Sequence, residues 1–161
     1  MPDNRQILLE AYDKYSEAIY RHCFFRLFSK EKAEELMQET FLKTWQYLEK
    51  GEVVQNIRAF LYRIANNLII DYSRKKKEES LDLMIEDDNF VEPTGSDHKD
   101  IEKAIAIKEV REEIEGLPED YKQVLIMRYV DDLDPKEIAE ILDIDANNVS
   151  VKIHRGLMML K

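Results

Sequence analysis

Residues Phe60 to Lys77 read FLYRIANNLIIDYSRKKK, and this stretch decides the fold. Its apolar side chains recur at helical spacing, which predicts an amphipathic helix with one buried face. The residues assigned to that face are Phe60, Leu61, Ile64, Leu68 and Tyr72. The remaining aromatic, amide and basic side chains form a second face, which consists of Tyr62, Arg63, Asn66, Asn67, Arg74 and Lys75.

The second face combines three kinds of group that bind unpaired nucleic acid. Aromatic rings stack on bases, amides hydrogen-bond with base edges, and cations hold phosphates. An ordinary amphipathic helix with a solvated basic end would show the same pattern. The stretch by itself is therefore compatible with both interpretations.

Helical patterns continue along the rest of the chain. Only four of the 161 residues are glycine and only four are proline. So few helix-breaking residues favour an all-α protein. The predicted helices span residues 6–28, 30–48, 57–77, 101–114, 121–129, 135–142 and 146–161.

The distribution of charge divides the chain into two blocks and a linker. The net charge is −10, yet residues 1–77 carry 14 basic and 11 acidic side chains. Residues 78–102 carry ten acidic side chains and one lysine. A segment this polar cannot bury enough apolar surface to fold by itself. We predict two small helical domains, residues 1–77 and 101–161, joined by a flexible acidic linker, residues 78–100.

Several classes of protein are disfavoured by composition. No window approaches the roughly 18 consecutive apolar residues that a membrane span requires. The N-terminus MPDNRQILLE lacks a basic segment followed by an apolar one, so it does not predict a signal peptide. A single cysteine, Cys23, excludes an internal disulfide framework. We expect a cytoplasmic protein.

Residues 137–155, EIAEILDIDANNVSVKIHR, have the layout of a helix-turn-helix. Ala139 is small where two helices would cross, and the shared apolar wedge consists of Ile138, Leu142, Ile144, Val149 and Ile153. The second helix would fit the major groove of DNA. Its candidate contact residues are Asn147, Asn148, Ser150, Val151, Lys152, His154 and Arg155. A plain helical hairpin with a polar face is the alternative.

Four motifs together resemble a known family. ELMQETFLKTW, FLYRIANNLIIDYSRKKK, LPEDYKQVLIMRYVDDLDPKEIAEIL and NNVSVKIHRGLMML occur in the order seen in bacterial sigma factors. The length and the direct join of two helical blocks resemble the extracytoplasmic-function (ECF) group of the sigma-70 family. The resemblance implies that the first block is sigma region 2 and the second is sigma region 4.

The resemblance also implies partners and site residues. Core RNA polymerase would be bound through Glu35, Leu36, Gln38, Glu39 and Phe41. The promoter −10 element would be melted and read through Tyr62, Arg63, Asn66, Asn67, Asp71, Arg74 and Lys75. The −35 element would be read through residues 147–155, the linker would thread the polymerase channel, and an anti-sigma factor would be a further partner.

This chain departs from the family pattern at some of these positions. Glu35 stands where the family usually has aspartate. Ser150 and Val151 stand where an arginine and a small polar residue are common. The second departure removes one expected phosphate contact, so the sequence of the −35 element does not follow from the resemblance.

Two other functions are alternatives to a sigma factor. A stand-alone helix-turn-helix transcriptional regulator would explain the last part of the chain but leaves the motifs of the first block without a role. A helical carboxylate metalloenzyme needs Glu-x-x-His pairs on facing helices. None of the three histidines, His22, His98 and His154, has a glutamate three residues before it. The sequence also lacks a recognisable nucleophile–base pair or glycine-rich phosphate loop, so we expect no catalytic residues, no metal and no cofactor.

Overall fold

A computed structural model describes residues 3–83 and 98–160 of the chain. Within these residues the structure contains seven α-helices and no strand, so the prediction of an all-α fold is confirmed. The helices are α1 (Asn4–Leu27), α2 (Lys30–Glu49), α3 (Ile57–Leu83), α4 (His98–Glu115), α5 (Glu119–Tyr129), α6 (Pro135–Leu142) and α7 (Ala146–Met159). We refer to α1–α3 as the N-terminal module and to α4–α7 as the C-terminal module.

Side-chain caps fix where the helices begin. The Asp3 carboxylate accepts a hydrogen bond from the Gln6 amide at 2.7 Å, and the Ser29 hydroxyl accepts one from the Lys32 amide at 3.2 Å. Such caps satisfy amides that have no partner inside the helix. Between α1 and α2 the chain turns at Phe28, whose φ of 52° lies in the left-handed region.

The N-terminal module is built around the apolar faces of α1, α2 and α3. Ile19, Leu36, Leu61 and Ile69 are among the buried residues of its core. The ring of Tyr12 on α1 meets the ring of Phe41 on α2 edge to face, with centroids 5.0 Å apart. Packing of this kind stabilises helices that would be marginal alone.

In the C-terminal module, α6 and α7 form the predicted helix-turn-helix. Asp134 caps α6 and Asp145 caps α7, each through its carboxylate. Between them Asp143 adopts a left-handed conformation with φ of 57°, and the Ile144 amide donates to the Ala139 carbonyl. The predicted wedge is confirmed, because Ile138 and Val149 are buried and Leu142, Ile144 and Ile153 are half-buried around them.

Most helix boundaries lie within three residues of the predicted ones, and two of the differences affect the predicted linker. Helix α3 continues to Leu83, and α4 begins at His98, so both enter the segment predicted as a linker. The end of α3 was misjudged because Ser80 and the acidic residues after Lys77 resemble a linker in composition but do not break a helix. The rest of the predicted linker, residues 84–97, lies outside the described residues.

The two modules pack against each other. Helix α6 lies on α3 and α5 lies on α1. Buried apolar residues of both modules belong to one continuous cluster, which includes Ile69 from α3 and Met127 from α5. The sequence predicted two tethered domains and gave no sign of this contact.

Candidate nucleic-acid and polymerase interfaces

Helix α3 carries the residues predicted to read opened DNA, and it presents part of them to solvent. The side chains of Arg63, Asn67, Asp71, Arg74 and Lys75 are exposed. The Arg74 guanidinium donates to the Asp71 carboxylate at 3.3 Å, an exposed contact one helical turn apart. This face therefore presents three basic groups and an amide at the surface, of which Arg63 also donates to the Glu140 carbonyl and Arg74 to Asp71.

Tyr62 and Asn66 are buried, which corrects the prediction that they lie on an open face. Tyr62 is 1% exposed and its ring packs edge to face against His22, with centroids 5.5 Å apart. Burial raises the pKa of the Tyr62 hydroxyl. The Asn66 amide oxygen accepts from Arg26 at 2.6 Å, and its nitrogen donates to Gln123 at 3.3 Å. His22 and Arg26 of α1 cover these residues from within the N-terminal module, and Gln123 of the C-terminal module contacts the Asn66 amide.

Ion pairs and hydrogen bonds join the two modules beside these residues. The Arg58 guanidinium donates to the Glu137 carboxylate at 2.9 Å, and Arg63 donates to the backbone carbonyl of Glu140 at 2.5 Å. Arg26 of α1 donates to the carboxylate of Glu119, while His22 and Asp131 meet within the interface. The basic partners come from the N-terminal module and the acidic partners from the C-terminal module.

Neither these contacts between the modules nor the cavity next to them was predictable from helical spacing. The loop between α2 and α3, together with Tyr47, Phe60 and Arg63, lines a space of about 250 Å³ that Glu140 borders from the other module. Val53 in this loop is 80% exposed. The available signal was the position of Gln55 and Asn56 in the loop before α3, because binding residues are disproportionately found on loops held by a rigid scaffold.

Of the α2 residues predicted to bind polymerase, some lie at the surface and others lie in the module core. Glu35 and Gln38 are exposed and Glu39 is half-buried, and the Lys32 ammonium donates to Glu35 at 2.9 Å. Leu36 and Phe41 are 5% and 4% exposed, so both lie in the module core, and their part in polymerase binding stays a prediction. Their side chains point into the module core because they share the helix face of Ala33, Met37 and Thr40.

The recognition helix α7 presents its predicted face to solvent. Asn147, Asn148, Ser150, Val151, His154 and Arg155 are exposed, and Lys152 is half-buried. Asp145 accepts a hydrogen bond from the Asn148 amide at 2.6 Å, which fixes the start of the helix. The wedge on the opposite face holds α7 against α6, so the polar side chains all point away from the module.

The residues that the structure describes carry neither a candidate membrane span nor a candidate metal site. None of the helices there combines the length and apolarity needed to cross a bilayer. Across the same ranges, histidine, cysteine, aspartate and glutamate side chains do not form a group that could hold a metal ion. The candidate site therefore consists of exposed helix faces and the cleft between the modules.

Family models match both modules. The model described as Sigma-70 region 2 matches residues 11–79, and the model described as Sigma-70, region 4 matches residues 107–160. The exposed part of α3 lies in the first match and the recognition helix lies in the second.

Curated relatives match the chain over nearly its whole length. It is 32% identical to the ECF RNA polymerase sigma factor SigW of Bacillus subtilis, with 92% of this chain and 84% of SigW covered. It is 29% identical to the ECF RNA polymerase sigma factor SigM of the same organism, with coverage of 94% and 91%.

Solved structures share the fold at lower identity. The sigma factor RpoE of Bartonella quintana, solved with the anti-sigma factor NepR, superposes with a TM-score of 0.73 at 19% identity, covering 94% of this chain and 92% of RpoE. CnrH, solved with the cytosolic domain of CnrY, gives 0.72 at 15% identity, covering 96% and 85%. The two motif-bearing modules, their order and these relatives lead to one conclusion: the chain belongs to the ECF group of the sigma-70 family.

Proposed function

We propose that this sigma factor is a dissociable subunit that binds core RNA polymerase and directs promoter recognition, DNA melting and transcription initiation. The observation that carries the proposal is the polar face of α7, which a capped helix-turn-helix holds away from the module. Such a helix places side chains in the major groove. Catalysis would remain with polymerase, and this chain would contribute specificity in the cytoplasm.

We assign the two modules different parts of the promoter. The N-terminal domain, residues 1–77, would bind polymerase and the −10 element, and the C-terminal domain, residues 101–161, would bind the −35 element. The acidic segment 78–100 would connect them across the polymerase surface. Arg155 at the exposed face of α7 could hold a guanine edge through two hydrogen bonds.

For polymerase binding we assign the exposed side chains of Glu35 and Gln38 and the half-buried Glu39. Leu36 and Phe41 would support this face from the core below. Acidic groups on a rigid helix suit a basic helix on the partner, because complementary charge speeds and orients association.

For the −10 element we assign Arg63, Asn67, Arg74 and Lys75 as the residues open to a strand, with Asp71 beside them. Tyr62 and Asn66 would join them after the modules separate. A base that leaves the duplex loses stacking worth a few kcal/mol, so ring and amide contacts on α3 must offset that loss.

An anti-sigma factor is a further proposed partner. The sigma factor RpoE, which superposes on this chain, was solved with the anti-sigma factor NepR, and CnrH was solved with the cytosolic domain of CnrY. We propose that a comparable regulator covers the faces of this chain that would bind polymerase and DNA.

Run-off transcription tests the proposed function. Purified chain and core polymerase from its own host would be mixed with a genomic library, and transcript ends would be mapped. We expect discrete start sites that depend on the chain, preceded by a shared pair of elements. Failure to bind core polymerase, or start sites unchanged without the chain, would exclude a sigma factor. A stand-alone regulator would instead bind duplex DNA equally well with and without polymerase.

A further inference from the structure

Two contacts one helical turn apart join α1 to α3 inside the N-terminal module. His22 and Arg26 are four positions apart on α1, and Tyr62 and Asn66 are four positions apart on α3. The rings of His22 and Tyr62 meet edge to face with centroids 5.5 Å apart. The Arg26 guanidinium donates to the Asn66 side-chain oxygen at 2.6 Å. Because residues four apart share a helix face, the ring contact fixes the register in which Arg26 meets Asn66.

The contact with Arg26 determines the orientation of the Asn66 amide. A guanidinium carries only donors, so the amide can face it only with its oxygen. The amide nitrogen then points away from Arg26, and in the free chain it donates to Gln123 at 3.3 Å. An amide surrounded by water can turn over and present either group. Asn66 is 4% exposed, so its orientation is set by these protein contacts.

Arg26 is itself held in place. Its side chain is 0% exposed, and a second nitrogen of the guanidinium donates to Glu119. A buried cation keeps its hydrogen bonds, because burying a charge without partners is costly. Arg26 and Asn66 both belong to the N-terminal module, so their contact does not require α5. The orientation of the Asn66 amide is therefore a property of the N-terminal module.

We propose that Arg26 is a positioning residue for promoter reading, which holds the Asn66 amide so that its nitrogen faces the −10 strand. Asn66 then acts on the strand only as a hydrogen-bond donor. Thymine and guanine carry a keto oxygen where cytosine and adenine carry an amino group. A fixed donor therefore favours thymine over cytosine, or guanine over adenine, at the nucleotide that it contacts. The inference rests on the proposed function, in which Asn66 meets the −10 element.

Base preference in transcription tests the proposal. The full chain and core polymerase are given a promoter library randomised in the −10 element, and the transcripts are sequenced. The nucleotide contacted by Asn66 is the one whose base preference Asn66→Ala removes. At that nucleotide we expect the unchanged chain to prefer the keto base roughly fivefold, the size of one neutral hydrogen bond.

Substitutions of Arg26 separate positioning from general stability. Arg26→Met removes every donor, and it should reduce the preference to less than about twofold, because a free amide presents oxygen and nitrogen equally. Arg26→Lys retains a cationic donor for the Asn66 oxygen and should keep the preference. The matched control is Arg21→Met, at an exposed position of the same helix, which should leave the preference unchanged. A purely structural role of Arg26 would lower transcription from all promoters equally.

A substitution of Asn66 tests the direction of the amide. Asn66→Asp replaces the outward nitrogen by an oxygen, which accepts hydrogen bonds, so the preference should change to the amino base. An amino-base preference in the unchanged chain would overturn the proposal. So would an unchanged preference in Arg26→Met, a preference lost equally in Arg26→Lys, or an Asn66→Ala chain with every preference intact.

Folding and the proposed function are checked separately. Circular dichroism shows whether each variant remains helical. If Arg26→Met unfolds, Arg26→Gln replaces it, because a glutamine amide can face Asn66 with either group and leaves both orientations open. Start sites that depend on the unchanged chain test the proposed function itself. Their presence together with an unaltered preference in the Arg26 variant would overturn the inference alone.

Discussion

His22 of α1 and Asp131, which follows α5, form a fully buried pair with Nδ1 and Oδ2 2.5 Å apart. The residues are 109 positions apart in the chain, so the pair exists only when the two modules are in contact. Neither side chain reaches solvent, and the second nitrogen of His22 and the second oxygen of Asp131 have no partner among the described residues. Removing either side chain of this pair would therefore leave the other one buried without its hydrogen-bond partner.

Removing one partner of this pair should destabilise the protein. We expect Asp131→Ala to lower the free energy of unfolding by about 1–3 kcal/mol, because His22 would lose its hydrogen bond while still buried. The double variant His22→Leu/Asp131→Leu should lose less than the sum of the single leucine variants. Urea unfolding followed by circular dichroism measures each value. Asp13→Ala, at an exposed position of α1, is the control and should change stability by less than about 0.5 kcal/mol. Strict additivity of the two leucine substitutions would contradict a direct contact.

The contact between Arg26 and Glu119 should weaken in acid. Burial tends to raise the pKa of the Glu119 carboxyl, but Arg26 and Lys122 outweigh burial, so its pKa lies below the ordinary value of 4.5. A lowered pKa in the folded state adds stability that is present above the unfolded value and is lost as pH falls through the folded value. The difference in unfolding free energy between the unchanged chain and Glu119→Gln should thus be largest above about pH 5 and shrink in stronger acid. The measurement is urea unfolding across this range.

Asp120→Asn is the matched control for that experiment. It removes a charge from the same first turn of α5 without touching Arg26. A pH dependence as large for this variant as for Glu119→Gln would show that the helix terminus, rather than the Arg26 contact, is responsible.

The thiol of Cys23 should be inert in the folded protein. Cys23 is 0% exposed, and its pKa is raised to about 12, mainly by burial and further by Asp131, while Arg26 acts in the opposite direction. Thiolate is the reactive form, so little of it exists near neutral pH. Iodoacetamide should label the native chain far more slowly than the urea-unfolded chain, as measured by mass spectrometry. Lys103→Cys on the exposed part of α4 supplies a reactive control thiol. Native labelling of Cys23 at the rate of the control would contradict its burial.

Gly156 in α7 should not tolerate alanine. Alanine normally stabilises a helix interior by roughly 0.5–1 kcal/mol relative to glycine. Here a Cβ would lie 2.9 Å from Leu125 Cδ1 and 3.2 Å from its Cγ, so the buried leucine would have to move. We expect Gly156→Ala to lower the unfolding free energy by about 1 kcal/mol, because overpacking exceeds the gain in propensity. Ser150→Ala at an exposed position of the same helix should be neutral or mildly stabilising. A higher unfolding free energy for Gly156→Ala would show that Leu125 on α5 moves to accommodate the added methyl group.

Arg155 should contribute to reading the −35 element. If it binds a guanine edge as proposed, Arg155→Ala would cost about 1–3 kcal/mol and relax selectivity at one base pair. Run-off transcription on promoters randomised in that element measures both effects. Lys108→Ala, on α4, provides a basic-to-alanine control at an exposed site. An equal loss on every promoter would indicate a phosphate contact, and no loss would remove Arg155 from the interface.

The exposed face of α7 was predictable from sequence because the residues that determine it are close together in the chain. The apolar residues of α7 pack on α6, which directly precedes α7 in the chain. The opposite face of α7 is therefore left exposed, and helical spacing is enough to identify it. The prediction that Tyr62 and Asn66 lie on an open face was wrong, because their burial depends on residues far away in the sequence. The residue that covers the Asn66 amide, Gln123, is 57 positions away, and helical spacing contains no information about it.

The sequence by itself determined the helices, their caps and the apolar wedge of the helix-turn-helix. Each of these follows from residues a few positions apart, because backbone hydrogen bonds and side-chain caps in helices are local. Only the tertiary structure decided which polar side chains are covered. Arg26 and Glu119 are 93 residues apart, and their pairing requires the chain to bring α1 and α5 together. Charge complementarity acts through space between whole surfaces, so the order of residues does not show which faces will meet.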